Sequence, residues 1–74
     1  MHRIPVESSM IDSIGYEKSV LEVRFRNGGL YQYLDVPESV LAALMRASSK
    51  GRFFNQRVRG RYPAVRLGRQ ATPI

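Results

Sequence analysis

Between Val20 and Arg26 the chain alternates without a break. Leu21, Val23 and Phe25 point one way, and Glu22, Arg24 and Arg26 point the other. A period of two with one apolar face marks a half-buried antiparallel strand and excludes a helix over the same residues. Asn27-Gly28-Gly29 follows at once, and residues that tolerate positive φ at this position signal a hairpin. The returning strand is Leu30 to Leu34, and its register decides what is buried. A two-residue Asn27-Gly28 loop pairs Phe25 with Leu30 and turns Gln32 onto the core face. A three-residue loop with a glycine bulge pairs Phe25 with Tyr31 and Val23 with Tyr33. The second is expected, since it keeps Gln32 off the core. Upstream, Met10 to Tyr16 favours a strand with Met10, Ile14 and Tyr16 on one face, and Glu17-Lys18-Ser19 is polar enough to turn.

After Leu34 the period changes. Asp35, Pro37 and Glu38 resemble a capped helix start with an acid in the first turn. Val40, Leu41, Leu44, Met45, Ala47 and Ser48 share one face at 3.6-residue spacing, with Ser39, Ala42 and Arg46 opposite. This predicts a helix from Pro37 to Ser48. Ser48-Ser49-Lys50-Gly51 interrupts it, and a shorter helix is expected from Gly51 to Arg59, with Phe54 and Val58 on its inner side. Arg3 to Ser9 reads as a lead-in ordered by Ile4 and Val6. Gly60 and Pro63 bracket the end of regular structure, so residues 64–74 are expected to be a mobile tail. The order implies an α+β fold: a small antiparallel three-stranded meander followed by one or two helices packed on one face. Residues 1–74 form a single domain with its core at about 6–62.

A chain of 74 residues holds a core that leaves only about 3–5 kcal/mol of net stability. Cysteine is absent and histidine occurs once, at His2, so neither a disulfide nor a zinc site is expected. No apolar run approaches the ~20 residues of a membrane span, and Met1 to Met10 has no secretory pattern. A cytoplasmic location with no membrane partner is expected. The carboxylates Glu7, Asp12, Glu17, Glu22, Asp35 and Glu38 are scattered, no base stands beside a serine, and no phosphate-loop or metalloprotease motif is present. The expectation is a protein that is not an enzyme and uses no cofactor.

Charge is the sharper functional signal. Residues 1–38 carry four basic and six acidic groups, a net of −2; residues 39–74 carry eight basic groups and no acid, a net of +8. Ten of the twelve cations are arginine, which grips phosphate as a planar fork and stacks on bases, where lysine acts as a point charge. A polyanion, an acidic protein, or plain solubility each accounts for such a surface.

The pattern as a whole resembles a known family. Ser8-Ser9-Met10-Ile11, Ile14-Gly15-Tyr16, Leu21-Glu22-Val23-Arg24-Phe25 with Asn27-Gly28, Tyr31-Gln32-Tyr33 and Val36-Pro37 are similar to the KTSC domain. The run Ala47-Ser48-Ser49-Lys50-Gly51-Arg52-Phe53-Phe54-Asn55 and the Val58-Arg59…Tyr62 ending complete the likeness, which covers roughly Val6 to Tyr62. This domain occurs at the C-terminus of some lysyl-tRNA synthetases and as a stand-alone protein in bacteria and phages. The resemblance implies no catalytic residues, and it implies RNA binding only by association with the synthetase.

The candidate nucleic-acid-binding residues are Arg46, Lys50, Arg52, Arg57, Arg59 and Arg61, with Tyr31 and Tyr33. The tyrosines alternate to one face of a strand. On an open face they would stack bases; under a helix they would bury their rings. Ser48-Ser49-Lys50-Gly51 offers either a helix-start phosphate site or a plain connection capped by Ser49. Arg52 and Arg59 are expected to project together. Three functions remain open: an RNA-binding module, a protein-interaction module that self-associates or meets another protein, and a domain whose charge serves solubility.

Overall fold

The computed structural model describes residues 3–6 and 10–69. His2, residues 7–9 of the lead-in and residues 70–74 of the tail lie outside the described residues. Five strands and two helices follow in the order β1 (Arg3–Pro5), β2 (Ile11–Glu17), β3 (Val20–Phe25), β4 (Gly29–Tyr33), α1 (Glu38–Arg46), α2 (Lys50–Arg57) and β5 (Ala64–Arg69). The strands form one antiparallel sheet in sequence order. The α+β class is as expected, with two strands more than the meander of three.

The two added strands lie where the sequence suggests a lead-in and a mobile tail. Arg3 to Pro5 pairs with Gly15 to Ser13. Ala64 to Arg69 pairs with β4, setting Ala64 beside Tyr33 and Arg66 beside Tyr31. The tail expectation is therefore corrected for residues 64–69. Its side chains from Ala64 to Leu67 are exposed, so this strand is held by its ladder to β4 and buries no apolar face. Without such a face there is no period-2 pattern for the sequence to display.

In β2 a bulge lies between Ile11 and Ser13: Ile11 pairs with Phe25, and Ser13 with Arg24. Asp12 is the extra residue, and a single extra residue reverses which side chains face inward. Ile11 therefore joins Ile14 in the core, both fully buried, while Met10 is only partly buried at the core's edge. This corrects the expected Met10–Ile14–Tyr16 face. The turn to β3 is the two-residue Lys18-Ser19 loop, both at positive φ (50° and 66°), the geometry that matches strand twist.

The β3–β4 hairpin closes through Arg26-Asn27-Gly28. Gly28 sits at φ +95° and donates its N–H to the Phe25 carbonyl at 2.9 Å. This is the three-residue glycine-bulge loop expected, but the pairing lies two residues away from the one preferred. Tyr31 faces Val23 and Tyr33 faces Leu21, because the loop starts at Arg26. Parity is unchanged: both tyrosines stay on the core face, and Gln32 lies opposite, bonding Glu22 Oε1 at 3.0 Å.

Asp35 does not cap α1. The N-cap is Pro37, with no side-chain capping bond, and Asp35 itself holds φ 60°. The reason is Val36, fully buried, whose N–H donates to the Ser19 carbonyl at 2.8 Å and whose carbonyl accepts from Tyr16 Oη. With Val36 pinned to the β2–β3 turn, the helix starts only beyond Pro37. It ends at Arg46, two residues short of the expected Ser48, and α2 starts and ends one and two residues earlier than expected.

The helices cover one face of the sheet. Ile11, Ile14, Leu21, Val23, Tyr33, Val36, Leu44, Phe54 and Val58 form the core, with Phe25, Tyr31, Val40, Leu41, Met45 and Phe53 partly buried against it. Four rings pack as a closed set. Phe54 meets Phe25 edge-on at 5.3 Å and Tyr33 at 5.1 Å; Tyr31 meets Phe25 at 5.7 Å edge-on and lies stacked with Tyr33 at 6.3 Å.

Candidate nucleic-acid interface

The four-ring set is the floor of a cleft of about 390 Å³ at the hairpin end of the sheet. Three elements build its wall. The β3–β4 loop supplies Arg26 and Asn27, α2 and the turn after it supply Asn55 and Arg59, and β5 supplies Arg66. Among the described residues, no aspartate or glutamate lines it. Asp12 stands nearby, with its carboxylate 3.8 Å from Arg26, so Arg26 is partly compensated. Asn27 Oδ1 accepts the Gly29 N–H at 2.9 Å, which leaves its NH₂ group as a donor. Gly29 suits this geometry: a Cβ there would stand 3.2 Å from Asn27 Oδ1, so that carboxamide would have to give slightly, and 3.4 Å from the Tyr31 ring, an ordinary contact.

A second cleft of about 540 Å³ adjoins the first along α2, and Met10 and Asn55 line both. Ser48, Ser49, Lys50, Gly51, Arg52 and Gln56 complete it. Ser49 is the helix cap, its Oγ accepting the Arg52 N–H at 3.3 Å, and Lys50 Nζ bonds the Ala47 carbonyl at 3.1 Å. The capping alternative is thus the one observed, while the Lys50 and Arg52 charges remain on the surface beside it.

The residues singled out from the sequence divide into three groups. Tyr31, Tyr33 and Arg59 come together in the first cleft, and Lys50 and Arg52 in the second. Arg52 and Arg59, expected to project together, thus line adjoining clefts. Arg46, Arg57 and Arg61 are exposed and line neither cleft. Tyr33 is 5% exposed and belongs to the core, whereas Tyr31 is half-buried with its ring at the cleft. Arg66, which the sequence places only in the expected mobile tail, and Arg26, Asn27 and Asn55 line the first cleft without having been singled out from the sequence. Arg66 joins Tyr31 through the β4–β5 register, which no local pattern announces. Among the described residues, no group of three histidine, cysteine, aspartate or glutamate side chains is placed to hold a metal.

Burial raises the Tyr33 hydroxyl above its ordinary pKa of 10.0, the neighbouring Tyr31 raises it further, and the Arg59 guanidinium acts against both. The unfolded chain therefore releases this proton first. The stability involved is fully present below pH 10 and is lost as pH rises through and beyond it. Tyr33→Phe is expected to flatten the fall in melting temperature between about pH 9 and about pH 11. Equal slopes in both proteins would contradict this assignment.

The fold and its clefts define a small α+β module in which arginines stand beside a cluster of aromatic rings. Residues 7–62 match the KTSC domain, and the chain belongs to that family. Its fold is that of the KTSC domain protein YPO2434 from Yersinia pestis, whose crystal structure superposes with a TM-score of 0.86 at 46% identity, over 90% of this chain and 97% of that one. An uncharacterized protein of Stutzerimonas stutzeri is 48% identical over 58 residues, covering 76% of this chain and 82% of its own length. A lysine–tRNA ligase of Nostoc punctiforme is 38% identical over 63 residues, which are 82% of this chain and 11% of the ligase. No helix among the described residues is long and apolar enough to cross a membrane.

Proposed function

We propose that this chain is a non-enzymatic RNA-binding module of the cytoplasm, which holds RNA chiefly by its phosphates. One observation carries the reading: two adjoining clefts along α2 gather Lys50, Arg52, Arg59, Arg26 and Arg66, with no carboxylate among the described residues that line them. Arginine forks gathered in excess over carboxylates favour a polyanion over a mixed-charge protein face. Similarity to a segment of a lysine–tRNA ligase supports RNA as the polyanion by association alone.

The test is a salt titration of affinity for single-stranded RNA. With about four phosphates neutralised, the log–log slope is expected near −3, and affinity falls roughly 50-fold between 50 and 200 mM salt. A slope near zero would contradict the proposal. The rival reading, a protein-interaction module, draws on edge strand β5, where Val65 and Leu67 are 44% and 47% exposed. Salt-insensitive self-association in the same titration, with no RNA bound, would favour it.

A further inference from the structure

We infer that the first cleft is a pocket for one unstacked nucleotide of a single-stranded RNA segment, its base lying against Tyr31 and its phosphate held by Arg59 and Arg66. This deepens the RNA-binding reading and rests on it. The second cleft and the outlying arginines offer charge with no aromatic ring among the described lining residues, which suits a backbone track. The first cleft differs in kind. Its floor is a closed set of four aromatic rings, and besides Arg26, which faces Asp12, two further guanidinium groups reach it from separate elements, Arg59 after α2 and Arg66 on β5.

A paired base cannot reach such a floor, because in A-form RNA the ring faces are covered by neighbouring bases. An unpaired nucleotide presents a flat π-face and a phosphate on one compact unit. The cleft, at about 390 Å³, falls in the range of roughly 300–1,000 Å³ typical of small-ligand sites. Asn27 and Asn55 add carboxamides at the rim, which can donate to and accept from a base edge. An acidic peptide would satisfy the arginines, but its carboxylates offer Tyr31 no aromatic face.

The ring supporting the base is placed, not mobile. Tyr31 lies edge-on to Phe25 and stacked with Tyr33, itself wedged edge-on to Phe54. Little conformational freedom is then lost on binding, and stacking on one base typically contributes about 1–3 kcal/mol.

The experiment compares an RNA hairpin carrying an unpaired loop with a blunt duplex of equal length, for the native protein, Tyr31→Leu and Asn27→Asp. Asn27 is exposed, lines the first cleft and not the second, and accepts the Gly29 N–H through an oxygen that an aspartate keeps, so Asn27→Asp keeps the test decisive if Tyr31→Leu loosens the fold. The native protein is expected to prefer the hairpin by roughly tenfold, in line with one stacked base. Either variant should lose most of that preference while binding the duplex within about threefold of the native protein. Uridine monophosphate should quench the tyrosine fluorescence and displace the hairpin, and inorganic phosphate at the same concentration should not. Equal binding of hairpin and duplex, or a preference untouched by both variants, would overturn the pocket and leave RNA binding standing. Binding to neither RNA would overturn both. Displacement by poly-glutamate as effective as that by uridine monophosphate would overturn the nucleotide in favour of an acidic protein partner.

Discussion

Phe54→Ala is expected to leave no cooperatively folded domain at 37 °C. Phe54 is 1% exposed and is the ring that joins helix to sheet, edge-on to both Phe25 and Tyr33. Truncating a buried phenylalanine costs about 3–5 kcal/mol through lost transfer energy and the cavity left behind. Each edge-on pair contributes roughly 0.5–1.5 kcal/mol beyond its buried area. A domain of this size has only about 3–5 kcal/mol in reserve, so one substitution removes most of it. Leu44→Ala, at the fully buried centre of α1, is expected to cost about 2–5 kcal/mol for the same reason. The control is Phe53→Ala, whose partly buried ring lies at the margin, and it should be the milder change. Urea unfolding followed by circular dichroism separates them. A Phe54→Ala protein melting within a few degrees of the native one would contradict this view of the core.

The double variant Arg52→Ala with Arg59→Ala is expected to weaken RNA binding on the order of 50-fold at 50 mM salt, through two lost phosphate contacts. It should also make the log–log salt slope shallower by up to ~1.4. Different RNA sequences should weaken about equally, because phosphate contacts position a ligand without reading it. Both side chains are exposed and neither belongs to the core cluster, so the melting temperature should hardly move. Paired measurements of affinity and melting thus separate a binding role from a folding role. A variant that binds as tightly as the native protein would remove these two arginines from the interface.

The comparison of sequence with structure divides along a physical line. Wherever burial of an apolar face fixes an element, the sequence shows it: Leu21 and Val23 on β3, Leu44 on α1, and Phe54 and Val58 on and after α2 are all in the core. The same logic placed Gln32 off the core face. What the sequence leaves hidden is set by backbone pairing. The Asp12 bulge exchanges Met10 for Ile11, and nothing in Met10-Ile11-Asp12-Ser13 distinguishes a bulged strand from a straight one. The hairpin register depends on whether the loop opens at Arg26 or Asn27, a difference that leaves the apolar parity unchanged.

The candidate site was legible to the same degree. Charge asymmetry identifies the arginines as a group, and alternation identifies Tyr31 and Tyr33 as a pair. The pair then separates, Tyr33 into the core and Tyr31 to the cleft, because α2 covers one end of β4 through Phe54 and leaves the hairpin end open. Arg66 enters the site only through β5, an edge strand without an apolar face, so its place depends on a pairing 35 residues away in sequence.

Direct titration of the native protein against tRNA, an unstructured single-stranded RNA and duplex DNA tests the central claim most directly. At about 50 mM salt and tens of micromolar protein, the account predicts measurable, salt-sensitive binding to both RNAs. Absence of binding to all three would contradict it and leave the protein-interaction reading in its place.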